Sequence, residues 1–283
     1  MQKIFFLLLP LFVFCSCMPK AETNDTKQPY GNNAAVGKYY EIRGFKMYCE
    51  TYGEGDPLLF IHGNGGSIRH FVNQIPYFSK KYKVIVADSR SQGKSLDNGD
   101  TLTYEMMADD YAALLDAMKI DSALVIGWSD GGINGLLLAS RHPEKVKKLA
   151  STGANLWPDT TAIDPDLMDI IEPMYAGLKN SSLTSDSVKT KLKLMRLMFE
   201  EPHIPLTQLN TIKCPTLIIG GDHDVIREAH TMLIYKNIPK AYLWILPNSG
   251  HSTLISYKTE FNKTVDDFFS KPYREIKGEG RLN

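Results

Sequence analysis

Three residue types at characteristic positions carry the chemistry available to this chain: a serine in a glycine frame, a late histidine, and an acid between them. Ser129 lies in Gly127-Trp128-Ser129-Asp130-Gly131-Gly132. Ala123–Ile126, just before it, reads as a short buried strand, and Ile133, Leu136, Leu137 and Leu138 read as a helix buried on one side. A strand that reverses into a helix over Gly-x-Ser-x-Gly holds its serine in a strained backbone, with the hydroxyl proud of the sheet. The free N–H groups of the helix start can then stabilise developing negative charge. Such a serine is a nucleophile provided the chain supplies a base, an acid and an oxyanion hole.

His251 follows Ser249-Gly250 after the apolar run Ala241–Leu246, at a strand end, and is the base in the best position. Asp222 and Asp224 compete for the acid in the loop after Pro215–Ile219. Asp224 has the Gly-x-x-Asp spacing and is preferred; Asp222 would shape the turn. The Leu58–Ile61 strand runs into His62-Gly63-Asn64-Gly65-Gly66, where the backbone N–H of Asn64 pairs with that of Asp130 as oxyanion donors. In this scheme Ser129 attacks, His251 removes its proton, and Asp224 orients and stabilises the imidazolium on the way to an acyl-enzyme. Other histidines have plainer readings. His62 braces its loop, His142 lies at the surface before a proline, and His223 and His230 lie inside and after the acid loop. Asp88 ends another strand and reads as a turn carboxylate paired with Arg90.

The elements that must position these residues alternate strand and helix. Lys38–Arg43 and Lys46–Tyr52 flank Gly44 as an antiparallel edge hairpin. Val84–Ala87 and Val146–Thr152 are further strands, while Ile68–Phe78, Thr103–Met118 and Leu254–Phe269 read as helices. Asn155–Ile212 lacks clear strands, carries five prolines and contains helical stretches at Leu167–Leu178 and Val188–Phe199. It reads as a helical cap that covers the site and excludes water. Trp157 and Met174 either line its pocket, with Trp157 the candidate substrate contact, or form the cap's own core.

Alternating strands and helices with Ser…Asp…His in this order describe an α/β-hydrolase, a mostly parallel doubly wound sheet with an edge hairpin and a small cap. The resemblance runs from about residue 38 to 269. Gly127-Trp-Ser-Asp-Gly-Gly-Ile133, Gly153-Ala-Asn155 and Cys214-Pro-Thr-Leu-Ile-Ile-Gly-Gly-Asp-His-Asp224 resemble the valacyclovir-hydrolase family. That resemblance implies a serine esterase acting on small-molecule esters of α-amino acids, with no metal or organic cofactor. It also implies that Asp130 holds the substrate ammonium. The structural alternative for Asp130 is an ion pair with a nearby arginine or lysine. Asp88-Ser-Arg-Ser departs from the usual Asp-x-Arg-Gly, and the cap is only weakly similar. A carbon–carbon hydrolase, a thioesterase, an aminopeptidase and a non-catalytic binding protein are the competing functions on this fold.

The chain has 283 residues, enough for one large α/β domain with an insertion, and 32 basic residues balance 32 acidic ones. Nothing in that balance suggests nucleic acid. Oligomeric state is not legible. Lys3 followed by apolar Ile4–Phe14 and Cys15-Ser16-Cys17 reads as an export signal over 1–17. It resembles that of a bacterial lipoprotein, with Cys17 lipidated and holding the protein to a cell-envelope membrane; an ordinary secretory signal is the alternative. Residues 18–36 read as a polar tether, 37–270 as the hydrolase domain with the cap at about 155–212, and 271–283 as a solvated tail. Cys49 and Cys214 are expected to be buried free thiols.

Overall fold

The computed structural model describes residues 30–182 and 185–282. The export signal and Cys17 lie outside them. Eight strands form one sheet in the order β1-β2-β4-β3-β5-β6-β7-β8. The edge hairpin β1 (Gly37–Ile42) and β2 (Phe45–Tyr52) is antiparallel, and β2 pairs antiparallel with β4 (Tyr82–Ala87). From β4 onward every pair is parallel: β3 (Asp56–Ile61), β5 (Ala123–Trp128), β6 (Val146–Thr152), β7 (Thr216–Gly221) and β8 (Ala241–Leu246). This is the expected α/β-hydrolase architecture.

Side chains alternate across the central strands, so each face builds its own core. Leu59, Ile61 and Val125 pack on one face under α2 (Tyr104–Ala117) and α3 (Asp130–Arg141). Leu58, Phe60 and Ile126 pack on the other against Phe71, Phe78 and the apolar stripe Phe261, Val265 and Phe269. Cys49 and Cys214 are buried and free.

Two expected helices are broken. Ile68–Phe78 is a 3-10 turn at Ile68–Phe71 followed by the single turn α1, Ile75–Phe78. Ile68, Phe71, Ile75 and Phe78 are all buried at helical spacing. Pro76, however, lacks the N–H a continuous helix needs there and instead starts a new turn. Leu254–Phe269 likewise divides into α8 (Thr253–Ser256) and α9 (Lys258–Ser270). Tyr257 stands between them, its hydroxyl donating to the carbonyls of Pro247 and Asn248 just ahead of His251.

Residues 30–36, read from the sequence as the end of a tether, are docked. Glu50, fully buried on β2, accepts from the backbone N–H of Gly31 and of Asn33 at 2.8 Å each. The Tyr48 and Tyr52 hydroxyls complete its shell at 2.8 and 2.7 Å. Gly31 and Asn33 therefore belong to the folded domain.

Between β6 and β7 the chain builds the cap from α4 (Pro165–Lys179), α5 (Asp186–Glu200) and α6 (Leu206–Leu209). Ala162, Ile163, Met168 and Ile171 form a small core with Ile226, which belongs to the loop after β7. Backbone bonds fasten the cap's first residues to that loop: Asp164 N–H to Val225 O at 2.8 Å and Arg227 N–H to Ala162 O at 2.9 Å. The remaining helix, α7 (Glu228–Lys236), packs on β7 and β8. Among the described residues no helix is long and apolar enough to cross a membrane.

Candidate active site

The turn from β5 into α3 places Ser129 at φ 58°, ψ −122°, a left-handed region that costs a side-chain-bearing residue about 1–3 kcal/mol. Its neighbours make the turn possible. A Cβ on Gly127 would lie 2.0 Å from Gly131 O, and one on Gly131 would lie 1.9 Å from Ile61 O. Only glycine fits at either position, so the spacing that marks the motif is a packing requirement between strand, helix and β3.

The ends of β7 and β8 bring the other two groups to Ser129. His251 Nε2 lies 2.9 Å from Ser129 Oγ, and its Nδ1 lies 2.6 Å from Asp224 Oδ1. Asp224 Oδ1 also accepts the backbone N–H of Ile226 at 3.0 Å. With the carboxylate on Nδ1, that nitrogen carries the proton and Nε2 is left as acceptor for the serine hydroxyl. Burial opposes ionisation of Asp224, but the charge and hydrogen bond of His251 outweigh it and hold the carboxyl below its ordinary value. Burial also works against protonated His251, yet Asp224, with a smaller contribution from Asp130, pushes its pKa up. The imidazole is thus a better base than a free histidine and its cation is stabilised. Trp128 fixes the loop behind it, donating its indole N–H to His251 O at 2.9 Å.

Asp222 has a different task. It accepts from the backbone N–H groups of Asn248 and Ser249 at 2.9 and 3.0 Å and from His223 at 2.8 Å. The His223 bond and then the two N–H groups draw its pKa down to about 2. It shapes the turn that delivers His251, while the more exposed His223 faces outward.

Three other histidines have structural bonds. His62 is fully buried, with Nδ1 2.8 Å from Gly63 O and Nε2 accepting Ser89 N–H at 2.9 Å; burial lowers its pKa to about 4. His230 Nε2 accepts the N–H of Leu156 at 3.0 Å. His142 binds Asp109 at 2.8 Å near the surface. Asp88 accepts the N–H groups of Ile68 and Lys94 at 2.9 and 2.8 Å, but it is not paired with Arg90. Arg90 instead grips Asp110 in α2 with two bonds of 2.7 Å and reaches Asp97 at 3.3 Å. Asp110 is twenty residues downstream of Arg90, and no local pattern marks it as the partner.

Asn64 and Asp130 meet, though by side chain: Asn64 Nδ2 donates to Asp130 Oδ2 at 2.9 Å. Asp130 is 4% exposed and forms no ion pair with lysine or arginine among the described residues, which removes the structural pairing considered from the sequence. Burial raises its pKa to about 6, against the opposing hydrogen bonds of Asn64 and Tyr104 and the charge of His251. Tyr104, at the start of α2, was not singled out in the sequence because a tyrosine at a buried helical position reads as core. Trp157 is partly buried between the cap and the domain. Its indole N–H donates to Thr161 at 2.8 Å, and its ring packs edge-on to His230 at 4.7 Å. It joins the cap core to the domain core, and these contacts lend no support to a substrate role. Met174 is absent from the cap's buried cluster.

A sequence profile of the alpha/beta hydrolase fold matches residues 56–180. The serine hydrolase BPHL of Homo sapiens is 27% identical over 253 residues, spanning 80% of this chain and 84% of that protein. The cis-3-alkyl-4-alkyloxetan-2-one decarboxylase of Shewanella oneidensis is 32% identical over 274 residues, spanning 81% and 86%. Among solved structures, a meta-cleavage product hydrolase of Pseudomonas fluorescens superposes with a TM-score of 0.68 at 25% identity. The match covers 84% of this chain and 99% of that one.

Proposed function

Since the chain belongs to the alpha/beta hydrolase fold family, we propose that this hydrolase cleaves carboxylic esters through an acyl-enzyme on Ser129. The observation that carries the proposal is the continuous chain Asp224–His251–Ser129, with links of 2.6 and 2.9 Å. His251 takes the hydroxyl proton as Ser129 attacks, and the ester carbonyl oxygen becomes an oxyanion facing the backbone N–H groups of Asn64 and Asp130. His251 then protonates the leaving alcohol, and water repeats the sequence to release the acid.

Asp130 supports a preference within that class. A buried carboxylate beside a developing oxyanion raises the cost of that charge, and no lysine or arginine among the described residues pairs with it. An α-ammonium on the substrate would neutralise Asp130 and anchor the ester. A charge-assisted hydrogen bond of this kind contributes about 1.5–3 kcal/mol, or roughly ten- to a hundred-fold in kcat/KM. The test is a panel of α-amino-acid esters, their des-amino analogues, thioesters and carbon–carbon substrates, run with wild type and Ser129→Ala. Wild type should prefer the amino ester by that factor and form a stoichiometric fluorophosphonate adduct on Ser129, and Ser129→Ala should lose both activity and label. Normal ester turnover by Ser129→Ala would refute the mechanism. Equal rates on the amino and des-amino esters would make Asp130 structural. Turnover confined to carbon–carbon substrates would assign the same triad to another bond.

The N-terminal sequence supports a location as well: an exported bacterial protein lipidated on Cys17 and held to a cell-envelope membrane. Intact-mass measurement of the native N-terminus should find acylated Cys17, and Cys17→Ser should release or trap the protein. An unmodified terminus beyond Cys17 would end this reading.

A further inference from the structure

The Asn64 side chain does something its backbone does not. Its carboxamide donates both protons, one to Asp130 Oδ2 at 2.9 Å and one to the carbonyl of Leu194 in α5 at 3.2 Å. Both partners are acceptors, so the amide's orientation is fixed. Turned over, its oxygen would face an anion and a carbonyl. Leu194 lies mid-helix and buried, and its carbonyl accepts Asn64 through a lone pair that the helix leaves free. One residue earlier, Lys193 donates to Gly99 O at 2.7 Å and to Asp97 O at 3.2 Å. Helix α5 is therefore seated on the domain at consecutive residues, and one of those seats leads directly to the residue after the nucleophile.

We propose that the Asn64 side chain is a positioning residue that couples the seating of cap helix α5 to the placement of the Asp130 carboxylate beside Ser129. A single planar amide spans the two, so neither can shift without the other losing a hydrogen bond. The same residue carries the N–H facing the oxyanion, so the glycine-rich loop is fixed by the same pair of contacts. The groups facing Asp130 are few: Asn64 from the loop after β3, Tyr104 from α2, and His251 from the loop after β8. Glu201, at the end of α5, acts on Tyr104 electrostatically. The coupling itself rests on geometry alone; its effect on substrate choice rests on the reading of Asp130 given above.

The experiment compares Asn64→Ala, Asn64→Asp and Lys193→Ala with wild type between pH 5 and 8. Hydrogen exchange of the α5 amides is measured without substrate, alongside kcat/KM for an α-amino ester and its des-amino analogue. Loss of one seat should raise α5 exchange about tenfold in each variant. Asn64→Asp keeps the side-chain shape but sets a carboxylate against a carboxylate and a carbonyl. At pH 8 its α5 amides should therefore exchange faster than those of Asn64→Ala, and its kcat/KM should be lower. It should recover at pH 5, where a shared proton restores a donor. Lys193→Ala should loosen α5 with no such pH dependence. Two results would overturn the proposal: α5 exchange unchanged in both Asn64 variants, or Asn64→Asp showing α5 exchange no faster and kcat/KM no lower than Asn64→Ala at pH 8, as a space-filling role would give. Exchange coupling as expected, with no amino-ester preference in any variant, would uphold the coupling and reject only the substrate reading.

Discussion

Buried carboxylates do opposite work in two regions of this molecule. On the β1–β4 side, Glu50, Asp88 and Asp110 are surrounded by donors suited to hold them still: backbone N–H groups and tyrosine hydroxyls, or a bidentate arginine. At the elbow, Asp224 faces a titrating imidazole, its Oδ2 buried without a hydrogen bond of normal geometry among the described residues. Asp130 has only neutral donors and the half-distant charge of His251. The first set fixes loops because its charges are already answered. The second can respond to a proton or a substrate because its partners are an imidazole that can change its charge and neutral donors.

The contrast is sharpest within one loop, where Asp222 belongs to the fixed kind and Asp224 to the responsive kind. Asp224→Asn should lower kcat by about 10⁴-fold, by leaving His251 in the wrong tautomer with its cation unpaired. Asp222→Asn should cost far less, through a looser turn at residues 248–249. Steady-state kinetics on a simple ester decides this, and a reversed ranking would exchange the two roles.

A smaller effect of opposite sign separates Asp110 from Asp130. Asp110→Asn takes the bidentate partner from buried Arg90 and leaves it only Asp97 at 3.3 Å as an anionic partner among the described residues, and should destabilise by up to about 3 kcal/mol. Asp130→Asn should stabilise at neutral pH. The folded-state pKa of Asp130 is raised to about 6, so it binds a proton more tightly folded than unfolded. Its contribution is therefore complete below the unfolded value near 4 and is lost as pH rises through 6. Removing the charge should recover roughly 1–3 kcal/mol at pH 8 and almost nothing at pH 4. Chemical denaturation at the two pH values measures both variants. Destabilisation by Asp130→Asn at pH 8 would place Asp130 among the fixed carboxylates.

What the sequence made legible was local or forced by packing. The elbow glycines, the alternating strands and the strand-end positions of Asp224 and His251 are short-range signatures, and the structure brings those residues together. What it hid depends on partners far along the chain. Arg90 finds Asp110 rather than Asp88, Asn64 finds Leu194 across 130 residues, and Glu50 finds backbone donors in a stretch whose composition reads as linker. The misjudged helix at Ile68–Phe78 has another cause. Its buried stripe keeps helical spacing while Pro76 resets the hydrogen-bond ladder, so periodicity reported burial correctly and continuity wrongly.

The grip of Glu50 on Gly31 and Asn33 also sets a leash. If Cys17 carries the lipid proposed above, the twelve residues 18–29 can span at most about 40 Å between it and Tyr30. For a lipid-held enzyme that is a working radius. Substrates dissolved in the surrounding water or shed from the bilayer surface would be met within a shell roughly one protein diameter deep. A pull on such an anchor would be borne first by the two backbone hydrogen bonds from Gly31 and Asn33 to Glu50 on β2, with five strands between it and β8, after which His251 follows.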